Sequence, residues 1–162
     1  MNAPDFGLRA LDPADMPDLA DLWVAAWRAT GIAVDFDARR EWFAAHLNTL
    51  ASSGVEIIVA EDAGGALAGF ITIDRRSGHL DQLCVAPARQ GAGLARALLD
   101  AAKARAPGRV RLEVNTGNPR ACRFYRREGF VETGKGFSPV SGLPILHMEW
   151  RAGAKVDAQD PA

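Results

Sequence analysis

The chain has few of the residues that build metal centres or disulfide frameworks. It contains two cysteines, three histidines and one tyrosine among 162 residues. Cys84 lies in an apolar run and Cys122 in an expected helix, and the two lack metal-ligand spacing. We therefore interpret both as small packed residues rather than ligands or nucleophiles, and expect no metal site.

The sequence also lacks a charge excess and a long apolar run. The formal net charge is −1 and the pI is about 6.3, which argues against non-specific nucleic-acid binding. No apolar stretch approaches the ~20 residues that cross a bilayer. The N-terminus shows no basic region followed by an apolar one, as a secretory signal would. We expect a cytoplasmic protein with no nucleic-acid or membrane partner.

What is present is an alternation of strand and helix patterns suited to one domain of this length. The expected strands are residues 6–10, 55–60, 66–74, 79–85, 109–114, 130–133 and 145–150. Helices are expected after Asp12-Pro13, from near Asp37, after Gly93, and from Asn118-Pro119 to Gly129. This order predicts an α/β (α+β) fold, a mixed sheet with helices on both faces. Residues 1–151 form the predicted single domain and 152–162 a disordered tail.

The most informative segment is the small-residue turn that follows the apolar run ending at Val85. Gly91, Ala92, Gly93 and Ala95 lie where an amphipathic helix begins. Missing side chains let an anion approach the backbone N–H groups, and the helix N-terminus adds unpaired donors and a positive dipole end. A tight packing turn is the alternative. Arg96 occupies the third glycine position of a dinucleotide fingerprint, and no P-loop lysine follows.

Two motifs then resemble a known family. Gln90, Gly93 and Ala95 match the pattern Gln/Arg-x-x-Gly-x-Gly/Ala, and residues 118–130 match Asn-x-x-Ala-x-x-Phe-Tyr-x-x-x-Gly-Phe at every fixed position. These are similar to motifs A and B of the GCN5-related N-acetyltransferase (GNAT) superfamily. The resemblance extends over about residues 6–150 and is sharp between 81 and 130. It implies the GNAT fold, with a mostly antiparallel sheet of six to seven strands flanked by about four helices.

The resemblance implies acetyl-coenzyme A (acetyl-CoA) as cofactor. In such proteins the glycine turn wraps the pyrophosphate, and the strand before it offers backbone groups to the pantetheine arm. Asn118 matches a cofactor-contacting asparagine, and a helix N-cap role is compatible with this. The implied cofactor-binding residues are Leu83, Cys84, Val85, Gln90, Gly91, Ala92, Gly93, Leu94, Ala95, Arg96, Asn118, Ala121, Phe124 and Tyr125.

The resemblance also assigns Tyr125 as the acid that protonates the departing thiolate. A phenol, with an ordinary pKa of about 10, keeps its proton at neutral pH. For the base, Asp81 is our choice because it lies closest to the expected point of strand splaying. His79, Glu113 and water remain alternatives, since an imidazole accepts a proton directly at neutral pH.

The predicted activity is acetyl transfer to a primary amine by direct attack in a ternary complex. The acceptor, a small molecule or peptide, is expected to meet Trp27, Asp81 and Glu113. A non-catalytic module that binds an acyl-coenzyme or a partner is the alternative, and a dinucleotide-dependent oxidoreductase is less favoured. The sequence does not identify the amine, the acyl length or the oligomeric state, for which a homodimer is one alternative.

Overall fold

The computed structural model describes residues 5–153, which form seven strands and four α-helices. The strands are β1 (Phe6–Ala10), β2 (Glu56–Asp62), β3 (Leu67–Ile73), β4 (Leu83–Val85), β5 (Arg109–Asn115), β6 (Val131–Phe137) and β7 (Pro144–Arg151). The helices are α1 (Met16–Arg28), α2 (Arg40–Ser52), α3 (Leu94–Arg105) and α4 (Pro119–Arg127). Most of the predicted tail, residues 154–162, lies outside the described residues.

The strands form two antiparallel sheets rather than one continuous sheet. The first has the order β1-β2-β3-β4 and the second the order β5-β7-β6. In the described part of the chain, one isolated parallel bridge joins them, between His79 and Arg111. Beyond that bridge β4 pairs with β3 only, so β4 and β5 diverge. The predicted fold class is confirmed, with the added feature that the sheet opens between its two halves.

The strand predicted over residues 79–85 is wrong in its first half, because only Leu83–Val85 is regular strand. The Thr72 hydroxyl accepts the amide N–H of Asp81 at 3.2 Å and that of Gln82 at 3.0 Å. Leu80 instead donates its amide N–H to the Arg111 carbonyl, at 2.9 Å. The segment thus crosses from one sheet to the other, which a local pattern cannot show.

Helices cover the first sheet on both faces. The α3 side chains Leu94, Leu98 and Leu99 are fully buried in a core with alternate residues of β5. On the other face, α1 and α2 enclose an aromatic core in which Trp23 stacks on Phe43 with ring centroids 4.3 Å apart. Each core follows from apolar residues repeating at helical spacing on the helix side that meets the sheet.

The second helix begins later than expected. It starts at Arg40 and not near Asp37. The Asp35 carboxylate accepts the amide N–H of Ala38 at 3.1 Å, which holds the preceding residues in a turn. Phe36 from this turn packs edge-on against Trp23 with centroids 5.7 Å apart. A tertiary contact of this turn therefore sets where α2 can begin.

Candidate active site

A cleft of about 740 Å³ lies where β4 leaves β5. Its walls are β4, the glycine loop (residues 90–93), the first turn of α3, the face of α4 and the end of α1. All the cofactor-binding residues predicted from sequence line this cleft except Ala92. The structure therefore brings residues from two distant motifs to one cavity.

The glycine loop leaves open space in front of its backbone. Gly91 and Gly93 have φ of +85° and +81°, and a Cβ built at either would meet no atom within 4 Å. Gly93 is also the N-cap of α3 and supplies no side-chain cap. The first N–H groups of the helix therefore lack intrahelical partners and face a cavity. This geometry fits a diphosphate at a helix N-terminus.

Arginines add positive charge to the same cleft. Those that line it are Arg89, Arg96, Arg120, Arg123 and Arg127. Arg89 is paired with Asp62 at 2.7 Å and Arg96 with Glu128 at 3.7 Å. The three on α4 have no carboxylate partner within residues 5–153, and guanidinium groups of this kind suit phosphate oxygens.

Sequence reasoning missed four of these arginines, having predicted only Arg96. A signal was available, since positions 120, 123 and 127 share one face of a helix. Arg120 also donates a hydrogen bond to the side-chain oxygen of Gln90. This contact joins the start of α4 to the glycine loop across the cleft.

Tyr125 lies in the wall of the cleft between two aromatic rings. Its ring centroid is 5.3 Å from that of Phe124 and 5.4 Å from that of Phe130. Burial raises the pKa of the Tyr125 phenol above its ordinary value, and the neighbouring Cys84 and Cys122 act in the same direction. Its hydroxyl makes no hydrogen bond within residues 5–153. The site therefore holds a protonated phenol whose hydroxyl has no hydrogen-bond partner among residues 5–153.

Asn118 is the N-cap of α4 and also lies in the wall of the cleft. Its side chain accepts the amide N–H of Ala121 at 3.2 Å, which caps α4. The same residue lines the cleft. The cap fixes where α4 begins, and Tyr125 on the same helix also lines the cavity.

Asp81 does not line the cleft and is bound to a residue that the sequence did not indicate. Its Oδ2 lies 2.7 Å from Nε2 of His46. The same oxygen accepts a hydrogen bond from the side-chain Nε2 of Gln82, at 3.1 Å. Burial raises the pKa of Asp81, but the hydrogen bond and charge of His46, together with the Gln82 hydrogen bond and the charge of His79, outweigh burial, and the pKa is lowered. The hydrogen bond to Asp81 raises the pKa of His46. Nothing local in the sequence joins positions 46 and 81.

Glu113 is likewise outside the cleft. Its carboxylate lies 2.7 Å from Nε2 of His79 and 3.8 Å from Nδ1 of His147. The hydrogen bond to His79 is the main cause that lowers the pKa of Glu113. Glu113 and His147 border a smaller recess of about 290 Å³ on the second sheet.

Trp27 was predicted to contact the acceptor together with Asp81 and Glu113. It lines the cleft, whereas the other two residues lie outside it. Its ring stacks on Phe36 with centroids 5.4 Å apart. Its Nε1 is buried and has no hydrogen-bond partner in the described part of the chain. The structure thus separates the predicted acceptor contacts into two groups.

Residues 5–153 contain neither a metal-binding cluster nor a membrane-spanning helix. No group of three or more His, Cys, Asp or Glu side chains is arranged there to hold a metal ion. No helix among these residues is both long and apolar enough to cross a membrane.

Comparison with known proteins identifies the family. The model of the acetyltransferase (GNAT) domain matches residues 30–152. A protein of Azospirillum brasilense described as an IAA acetyltransferase is 34% identical over 111 residues, which cover 64% of this chain and 72% of that protein.

Solved structures share the fold. A GCN5-related N-acetyltransferase from Rhodopseudomonas palustris is 20% identical with a TM-score of 0.74, covering 93% of this chain and 98% of that one. The PaiA N-acetyltransferase of Thermoplasma acidophilum, solved with coenzyme A, is 20% identical with a TM-score of 0.73, covering 90% and 98%. Members of the family use acetyl-CoA, as expected for the cleft described above. The family match, the shared fold and the open glycine loop lead to one conclusion: the chain belongs to the GNAT acetyltransferase family.

Proposed function

We propose that this protein transfers the acetyl group of acetyl-CoA to a primary amine by direct attack in a ternary complex. When bound, the coenzyme supplies an acyl group activated as a thioester. The observation that carries the proposal is the position of Tyr125, whose protonated hydroxyl shares a cleft with the open glycine loop. A module that only bound the coenzyme would have no use for an acid at that place.

Different groups in the cleft suit different parts of the coenzyme. Backbone N–H groups of the glycine loop and of the first turn of α3 would hold the pyrophosphate, and the α4 arginines would add positive charge. The free edge of β4 offers unpaired backbone groups to the amide-bearing pantetheine arm, because β4 pairs only with β3. Together these contacts would hold the thioester in the cleft that Tyr125 lines, and positioning of this kind lowers the barrier.

The cysteine in the cleft supports direct attack. Burial raises the pKa of Cys84 to about 12, so its thiol stays protonated at neutral pH. A thiol is a poor nucleophile compared with its thiolate. An acyl-enzyme on Cys84 is therefore disfavoured, and the amine itself is the nucleophile.

The proposal is tested in two steps on the full chain. Isothermal titration calorimetry should show saturable binding of coenzyme A, and not of NAD. The protein is then incubated with acetyl-CoA and a panel of alkyl and aromatic amines, polyamines, amino acids and lysine peptides. IAA is included because the Azospirillum brasilense relative is described as an IAA acetyltransferase. Mass spectrometry should find an acetylated amine, and intact-protein mass no acetyl adduct. Coenzyme binding without any acetylated amine would overturn the enzymatic proposal.

A further inference from the structure

The exposed apolar side chains of this protein concentrate on one hairpin. Within residues 5–153 five large apolar side chains are exposed, and three of them belong to β6 and the turn after it. Val131 and Phe137, at the two ends of β6, are 61% and 72% exposed, and Val140 in the turn is 51% exposed. The other two, Leu8 and Trp42, lie on separate elements. Single exposed apolar residues are common, but a group on one element indicates an interaction surface.

The strand that carries this group is also an open edge of the second sheet. The order of that sheet is β5-β7-β6, so β6 pairs on one side with β7 and has no strand on its other side within residues 5–153. The backbone N–H and C=O groups of β6 that point away from β7 therefore lack strand partners. Such a row of groups is a template for a further strand. The geometry thus suits a polypeptide strand as the occupant.

Two charged side chains of β6 meet no opposite charge in the described chain. Glu132 lies opposite Met148 and Lys135 opposite Leu146 on β7, and neither charge has an ion-pair partner within residues 5–153. In a regular strand, residues three positions apart lie on opposite faces. The register shift between Glu132 and Gly134 instead places both charges on one face. The open edge therefore presents an anion and a cation side by side.

The outer edge of the first sheet differs in both respects. Its strand, β1, carries one exposed large apolar residue, Leu8. Its charged residue, Arg9, pairs within the chain with Asp15 at 2.7 Å and with Glu61 at 3.0 Å. Of these two outer edges, only β6 combines exposed apolar ends with unmatched charges in the described part of the chain.

We propose that β6 is the interface of a symmetric homodimer, in which β6 of a second copy pairs with it in the antiparallel direction. Antiparallel pairing places the Val131 end of each strand beside the Phe137 end of the other. It also places Glu132 of one copy opposite Lys135 of the second copy, and two-fold symmetry repeats this pair. The edge is thus complementary to itself in apolar surface and in charge. The inference does not depend on acetyl transfer.

The same features restrict which strand can pair with β6. An edge lysine and a bulge both discourage pairing with arbitrary strands. A partner strand must bring a carboxylate opposite Lys135, and the second copy brings Glu132. Symmetric pairing uses the open edge of both copies, so the assembly stops at two. Because each copy contributes one short strand and its turn, we expect a small interface and a reversible dimer.

Sedimentation equilibrium on the full chain tests the dimer directly. The weight-average mass should rise with concentration from 17.3 kDa to twice that value and no further. A mass that stays at 17.3 kDa up to high micromolar concentration would overturn the proposal. Species larger than a dimer would also overturn it, because they require a head-to-tail contact between different surfaces.

Charge substitutions test the antiparallel register. Glu132→Lys and Lys135→Glu each place like charges opposite one another, so each variant alone should dimerise about tenfold more weakly. An equimolar mixture of the two variants should recover wild-type affinity, since every lysine then faces a glutamate. Glu41→Lys, an exposed position on α2 with the same change in net charge, is the control and should match wild type. A mixture as weak as its components would contradict the pairing.

Hydrogen exchange distinguishes a second copy from a segment of the same chain as the occupant of the edge. The β6 amides that point away from β7 should exchange slowly at concentrations where the dimer forms, and faster after dilution to monomer. Protection of these amides that is independent of concentration would mean that the chain covers its own edge, and would overturn the dimer. Coenzyme binding and amine acetylation are measured separately, so failure of the dimer would leave the proposed function standing.

Discussion

At the residue scale, the structure gives Tyr125 an environment that the motif alone does not specify. The ring is 7% exposed and packs against Phe124 and Phe130, while its hydroxyl has no partner in the described chain. Such burial keeps the phenol protonated over the whole range in which an amine acceptor reacts. The phenol is thus protonated in the protein without a ligand.

Tyr125→Phe tests this acid role. We expect kcat to fall by about 10²-fold, the scale of general acid catalysis, with coenzyme affinity changed less than twofold. Removing the hydroxyl leaves the ring packing intact, so the melting temperature should change little. Steady-state kinetics and calorimetry measure both quantities. An unchanged kcat would remove the acid role.

Gly93→Val tests the glycine loop. A Val at φ +81° is strained, and its side chain would enter the space in front of the backbone amides. We expect coenzyme binding to be lost. Gly54→Val is the matched control, since Gly54 has φ +89°, equally open surroundings and a position outside the cleft.

Both glycine variants should lose about 1–3 kcal/mol of unfolding free energy from backbone strain. Urea unfolding and calorimetric titration with coenzyme A separate stability from binding. A folded Gly93→Val protein with wild-type affinity would contradict the assigned role of the loop.

At the scale of a single element, α4 combines a cap, a buried phenol and a cationic face. Asn118 begins the helix, and Gly129 follows its end at φ +94°. The sequence predicted both ends because capping chemistry is local. Which arginines of α4 face the cleft was not predicted, since that depends on how the helix is rotated against β5.

The arginine face gives a prediction with a control on the same helix. Arg123 lines the cleft and Arg126 does not. We expect Arg123→Gln to weaken coenzyme A binding about tenfold, and Arg126→Gln to change it less than twofold. The difference should shrink in high salt, because exposed charge interactions are screened. Equal effects of the two substitutions on affinity would show that α4 contributes only general charge.

The segment before β4 shows where element prediction fails. The apolar pattern of residues 79–85 fits a strand, yet only Leu83–Val85 pairs regularly. The buried Thr72 hydroxyl accepts hydrogen bonds from the amide N–H groups of Asp81 and Gln82, which would otherwise be donated to a neighbouring strand. Hydrogen bonds from backbone N–H groups to a side chain compete with strand pairing. The apolar pattern of residues 79–85 does not show this competition, because the side chain belongs to another strand.

At the scale of the whole molecule, the His46–Asp81 pair couples folding to pH. The pKa of Asp81 is lowered, so its contribution to stability is fully present above the ordinary value of 3.8 and is lost as pH falls through the folded value. The pKa of His46 is raised, so its contribution is fully present below 6.5 and is lost as pH rises through the folded value.

The pair should therefore stabilise the protein most between pH 3.8 and 6.5. We expect wild type to exceed His46→Gln by about 1–3 kcal/mol at pH 6, the scale of a hydrogen bond to a charged group, and by less at pH 9. Urea unfolding of both proteins at the two pH values measures this. The His147→Gln control should show no such pH-dependent difference, and a gap that grew toward pH 9 would contradict the assignment.

The sequence by itself determined the two ends of α4, the order of strands and helices, the small-residue glycine loop and the place of Tyr125 in its motif. Each of these depends on residues close together along the chain, through backbone φ, capping or periodicity. Only the tertiary structure decided that the sheet splits after His79 and Arg111, that three arginines of α4 face the cleft, and that His46 meets Asp81. These features join segments far apart in sequence, and packing of helices on two faces of the sheet fixes their distances.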